Sequence, residues 1–127
     1  MTAHFEHKRG LILVEAEIYG PKASVNLILA LDTGATSTVI SHSRLMRAGY
    51  DPGAILDRVQ MTTGSSIEFA PRLPVEQLTV LGNDRRDFHV IAHTLPPSVR
   101  VDGLLGLDVF RGRELNIDFR TGTIDVV

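Results

Sequence analysis

Leu27-Ile28-Leu29-Ala30-Leu31-Asp32-Thr33-Gly34-Ala35-Thr36-Ser37-Thr38-Val39-Ile40 is the stretch that decides how this chain folds. An apolar run delivers a carboxylate into a tight, glycine-containing turn, and the chain returns as a second β-branched run. Val25, Leu27, Leu29 and Leu31 fall on one face of a strand over 24–31, with Ser24 and Asn26 on the other. A turn projects a side chain outward and flanking strands hold it still, which suits a catalytic acid. Read from the residues alone, Asp32-Thr33-Gly34 is either such a loop or an ordinary turn.

A second motif lies 70 residues on: Val101-Asp102-Gly103-Leu104-Leu105-Gly106-Leu107. Two leucines between glycines make a short buried strand, and glycine lets one backbone pass close to another. Around these motifs the chain reads as short strands separated by turn residues. Strands are expected over 11–19, 24–31 and 38–40. Ser41 as N-cap and Gly49 as stop bracket a short helix over 42–48. Hairpins are expected from 58–63 and 66–70 across Gly64-Ser65, and from 75–81 and 87–92 across Gly82-Asn83-Asp84. Leu95-Pro96-Pro97-Ser98 reads as a rigid loop and 107–111 as a helical turn. A last hairpin joins 115–119 to 123–127 across Thr121-Gly122. The pattern is mostly β with one or two short helices, closed or nearly closed into a barrel.

Leu31-Asp32-Thr33-Gly34-Ala35 followed by Thr38-Val39-Ile40 resembles the active-site loop of aspartic proteases, closest to the retropepsin-like branch. The 101–107 motif resembles the apolar-apolar-glycine element that follows this loop in the family. The resemblance implies a single-domain acid-protease barrel over 10–127, preceded by an N-terminal arm over 1–9. It makes Asp32 the catalytic residue, with Thr33, Gly34 and Ala35 completing the loop: Thr33 hydroxyls cross-link two loops, Gly34 brings an N–H to the carboxylate, and Ala35 leaves room for substrate. Leu104, Leu105 and Gly106 support the loop from beneath. It makes the hairpin Met61-Thr62-Thr63-Gly64-Ser65-Ser66-Ile67 the candidate flap, although this hairpin has fewer glycines than retroviral flaps and lacks the tyrosine of pepsin-like ones. Retroviral relatives end soon after the strand corresponding to 114–117. This chain continues through 118–127, as cellular and bacterial retropepsin-like proteins do.

Peptide hydrolysis by carboxyl groups needs one group to activate water and another to protonate the substrate. Adjacent carboxyls share a proton because both cannot ionise; the aspartic-protease dyad is the standard instance. With a single D-T-G in a chain half the length of a two-lobed enzyme, the expected species is a C2 homodimer that sets Asp32 beside its own copy. The expected function is aspartic-type endopeptidase. The alternative is a non-catalytic retropepsin-like dimer that binds extended protein segments by strand addition.

The chain has 127 residues, 43% of them hydrophobic and 22% charged, so one globular domain is expected. A net charge of −2 gives no reason to expect nucleic acid or an anionic membrane as partner. With no cysteine, disulfides, thiolate metal sites and a cysteine nucleophile are excluded. The polar, histidine-bearing start and the lack of a long apolar run lead to the expectation of a cytoplasmic protein without a signal peptide or membrane segment. No cofactor is expected. The histidines His4, His7, His89 and His93 are not spaced as a convincing metal set. Asp102 reads as a surface or turn residue, not a second acid.

Overall fold

Alternation of buried and exposed residues makes Ser24–Leu31 a strand (β3), with Val25, Leu27 and Leu29 inside. The described residues fold mostly as strands, with one α-helix among them. The computed structural model describes residues 1–63 and 66–127. The strands in chain order are β1 (Thr2–His4), β2 (Leu13–Tyr19), β3, β4 (Val39–Ile40), β5 (Arg58–Thr63), β6 (Ser66–Val80), β7 (Asn83–Ala92), β8 (Gly103–Leu105), β9 (Leu115–Asp118) and β10 (Thr123–Val126); helix α1 is His42–Ala48. The larger sheet runs β2-β3-β8-β4-β7-β6-β5. Pairing of β2 with β6 closes six of these strands into a ring, and β5 hangs outside it on β6. The barrel expected from the sequence is therefore present.

Its interior holds Ile18, Leu27, Leu29, Val75, Leu78 and Leu105, each essentially inaccessible to water. Burying a side chain of this size contributes roughly 1.5–3 kcal/mol. Leu45 of α1 plugs the same core. Ser41 occupies the N-cap position of α1 without a side-chain capping bond, and Gly49 ends the helix with φ +107°.

Three departures from the sequence reading have local causes. The expected strands 66–70 and 75–81 are one 15-residue strand, β6. Its first part pairs with β5 and its last residues with β2. Pro74 falls between them, where one edge has no strand partner and the missing N–H costs little. The following turn centres on Leu81-Gly82, both at positive φ (49° and 74°), as a right-twisted two-residue hairpin prefers. β7 therefore starts at Asn83, four residues earlier than expected. Finally, the N-terminal arm contains β1, which pairs with β10 in a separate sheet of order β1-β10-β9. Ile124 and Val126 of β10 pack into the main core, so that sheet is fastened to the barrel.

Candidate active site

β8 threads between β3 and β4, parallel to the first (Ala30 opposite Leu104) and antiparallel to the second (Val39 opposite Leu104). The Asp32 loop leaves from the end of β3 and returns as β4, so β8 runs between its two legs. Only glycine fits this crossing. A Cβ at Gly103 would lie 1.9 Å from the Val39 carbonyl oxygen, and one at Gly106 would lie 2.6 Å from the Ser37 carbonyl carbon. Leu105 is fully buried and Leu104 partly so.

Backbone bonds tie the loop down. The Asp32 N–H donates to the Leu105 carbonyl (3.0 Å), the Ala35 N–H to the Asp32 carbonyl (3.1 Å), and the Leu107 N–H to the Ala35 carbonyl (2.9 Å). The Gly34 N–H donates to Asp32 Oδ1 at 2.9 Å. That bond fixes the orientation of the carboxylate. Thr33 and Gly34 are exposed, while Asp32 and Ala35 are half-buried.

A further pair locks this arrangement and went unremarked in the sequence. Thr38 is completely buried. Its hydroxyl donates to Asp108 Oδ1 (2.7 Å) and accepts the Gly106 N–H (3.1 Å). Its own N–H donates to Asp108 Oδ2 (2.9 Å). Asp108 lies in the 3-10 turn Leu107–Phe110, where the sequence suggests helical geometry. The partners are 70 residues apart in the chain. The one available hint was an acid two residues past Leu-Leu-Gly.

Above the loop lies an open cleft of about 540 Å³. Asp32, Gly34 and Ala35 form one wall; Met61 and Thr62 of the candidate flap reach it from β5. Its apolar floor comprises Val39, Ile91 and Leu104, against which Val59, Met61 and Ala70 pack as a small cluster apart from the barrel core. Ser66 and Ile67, on the return strand of the flap, do not line the cleft, and Ile67 points to solvent, 62% exposed. Gly64 and Ser65, the expected flap tip, lie outside the described residues. Thr63 pairs with Ser66 in the hairpin ladder. Leu105 and Gly106 sit beneath the loop, not in the cleft. Cleft residues that sequence reasoning missed include Val39, Val59, Ile91 and Arg72, which only the assembled sheet brings together.

Asp102 is a structural tie. Its carboxylate accepts the Ile28 N–H (2.8 Å) and pairs with Arg44 Nε (3.0 Å), joining β3 to α1. Ile28 is four residues back along β3 from Asp32, on the order of 13 Å at strand spacing. Among the described residues lining the cleft, Asp32 is the only acid. Among the described residues no three His, Asp or Glu side chains converge as a metal set. His93 instead faces Glu68, at 3.9 Å. No helix among the described residues is long and apolar enough to cross a membrane.

A family model described as aspartyl protease matches residues 14–109. Among solved structures, the chain is similar to a retropepsin-like aspartic protease from Rickettsia conorii, with a TM-score of 0.74 and 14% identity, covering 98% of this chain and 86% of that one. It is also similar to the retroviral protease-like domain of Ddi1 from Leishmania major, with a TM-score of 0.55 and 17% identity over 91% of this chain and 87% of that one. No match is found among curated proteins.

Proposed function

The chain belongs to the aspartyl protease family, matched over residues 14–109, and from that premise we propose that it is a homodimeric endopeptidase whose two Asp32 residues, one per subunit, form the catalytic pair. The observation that carries this reading is a lone acid in a complete setting. Asp32 is held by the Gly34 N–H, anchored on β8 and opened to a cleft that contains no second carboxylate among its described residues. Acid–base hydrolysis needs two such groups. A twofold axis beside the loop supplies the second, because residue i can then meet its own copy. The exposure of Thr33 and Gly34 suits this, since the surface that meets a copy must be free in one chain.

In the dimer the two carboxyls share a proton. The unprotonated one takes a proton from water as that water attacks the scissile carbonyl, and the protonated one donates to the carbonyl oxygen. The carboxyl that took water's proton then passes it to the amide nitrogen, the C–N bond breaks, and a hydroxyl of the tetrahedral intermediate returns its proton to the other carboxylate as the acid product forms. Met61 and Thr62 close over an extended peptide, and the apolar floor around Val39 and Leu104 takes its side chains. Water exclusion by the flap strengthens every polar contact beneath it.

The test compares wild type with Asp32→Asn on a diverse peptide library from about pH 4 to 7, a span that brackets ordinary carboxyl and histidine titration. The proposal predicts cleavage by wild type alone, eluting at dimer mass. Peptide binding by both proteins with cleavage by neither would replace it with the binding-module reading.

A further inference from the structure

We propose that Arg72 is a specificity-determining residue that makes this cleft select peptides with an acidic side chain remote from the scissile bond. The inference rests on the reading of the Asp32 cleft as a peptide groove and adds the substrate class.

The strand registers place Arg72 at the far end of one row. Arg72 lies opposite Ile91, Ile91 opposite Val39, and Val39 opposite Leu104. Partners in a ladder point to the same face, and all four line the cleft. Three strand spacings make the row on the order of 14 Å long, a distance that an extended peptide crosses in about four residues. One end meets the Asp32 loop through Leu104 and Leu105; the other end carries a guanidinium. Arg72 is the only cation among the described residues lining the cleft, whose remaining surface is apolar or neutral apart from Asp32.

The guanidinium is under-used within its own chain. Among the described residues its side-chain partner is Asp57, through a single Nη1–H to Oδ2 bond of 3.3 Å. Both side chains are substantially exposed, 43% and 56%. Ion pairs so open to water contribute little to folding. The same two residues are already joined by a backbone bond, from the Arg72 N–H to the Asp57 carbonyl (2.9 Å). Arginine carries five N–H donors in a fork that matches a carboxylate bidentately, so the side chain keeps free donors toward the cleft.

Arg72 also borders a second hollow, of about 330 Å³, beside Thr36 and Ser37. Its charged groups are Asp87, Asp108, Arg111 and Arg72 itself, with His89 nearby. Asp108 is already committed to Thr38. An incoming glutamate or aspartate side chain would thus find the guanidinium donors that Asp57 does not use, the hydroxyls of Thr36 and Ser37, and, as competing acids, Asp57 on the guanidinium and Asp87 in the hollow. In a C2 dimer the feature occurs twice, so acidic residues on both sides of the cut would each be read.

The test uses Asp32→Asn protein as a non-cleaving trap. Fluorescent extended peptides carry glutamate, or its neutral isostere glutamine, at each position in turn, and binding is followed by anisotropy at low salt. At one position on each side of the centre, glutamate should bind about five- to twentyfold more tightly than glutamine, as for a partly exposed charge-assisted pair. Adding Arg72→Gln should reduce that ratio to near one, and Arg72→Lys should restore part of it. Asp57→Asn, which removes the competing carboxylate and leaves Arg72 in place, should raise it. Salt should weaken the preference. A glutamate-to-glutamine ratio near one at every position, or one insensitive to both Arg72→Gln and Asp57→Asn, overturns the inference. Wild type that cuts peptides without an Arg72-dependent preference sinks this inference alone. Arg72-dependent capture by a wild type that cuts nothing supports it while sinking the catalytic proposal.

Discussion

Replacing Thr38 by valine preserves the β-branched outline and exchanges a hydroxyl for a methyl group in a fully buried site. The hydroxyl does two things: it donates to the Asp108 carboxylate at 2.7 Å and accepts the Gly106 N–H at 3.1 Å. Losing a hydrogen bond to a charged group costs roughly 1.5–3 kcal/mol, and stranding a buried N–H costs about 1–3 kcal/mol. The two losses overlap, because the loop relaxes once for both, and the added methyl recovers up to ~0.8 kcal/mol. A net loss of about 2–4 kcal/mol is expected. For 127 residues, at ~2.1 cal/mol/K per residue, this lowers Tm by roughly 7–15 °C. Thermal melts and urea titrations of wild type, Thr38→Val and Thr38→Ser measure it; the serine variant, which keeps the oxygen, should lose distinctly less. A double-mutant cycle with Asp108→Asn should give a coupling above ~1 kcal/mol. A Thr38→Val melt within about 2 °C of wild type, or a coupling near zero, would refute the claim that this pair fastens the loop.

Three other outcomes are expected. Gly103→Ala should prevent folding or leave an expanded, weakly cooperative state by circular dichroism, because its Cβ would overlap the Val39 carbonyl oxygen; a native-like melt would contradict the close crossing. Asp102→Asn should weaken the tie between β3 and α1 and lower the urea midpoint, while leaving the peptide cleavage pattern intact; loss of activity in a fully folded variant would place Asp102 in the chemistry. Burial raises the Tyr50 phenol above its ordinary value of 10.0, outweighing the Glu76 N–H that it accepts. The folded state then holds that proton more tightly than the unfolded chain, so its stabilising contribution is complete below pH 10 and disappears as pH climbs through the folded value. Urea midpoints should fall more steeply above about pH 10 in wild type than in Tyr50→Phe, and equal slopes would argue against it.

What could be read from the sequence was local. The Asp32 turn is framed by strands whose alternation is visible within a few residues, and Gly103 and Gly106 flank a Leu-Leu pair that only a buried strand accommodates. α1 shows its stop signal at Gly49. What stayed hidden depends on partners far along the chain. The ring closes through β2 and β6, whose contact has no local signal. β6 hid behind Pro71 and Pro74, which read as breaks until its uncovered edge is known. β1 has three residues, too few for a period to register. Thr38 looked like one more β-branched residue, since nothing nearby points to Asp108. Arg72 gave no signal because its role follows from standing at the end of a row assembled from four strands.

Subunit mixing tests the paired-acid account most directly. Wild type and Asp32→Asn are combined in equal amounts, allowed to exchange subunits, and assayed for peptide cleavage at fixed total protein. If every active centre needs an Asp32 from each chain, only wild-type pairs cut, and the rate falls to about one quarter of that of pure wild type. With mixed dimers verified by native mass spectrometry, a rate of about three quarters, as when one Asp32 per pair suffices, or of about one half, as when each chain acts alone, would contradict the account.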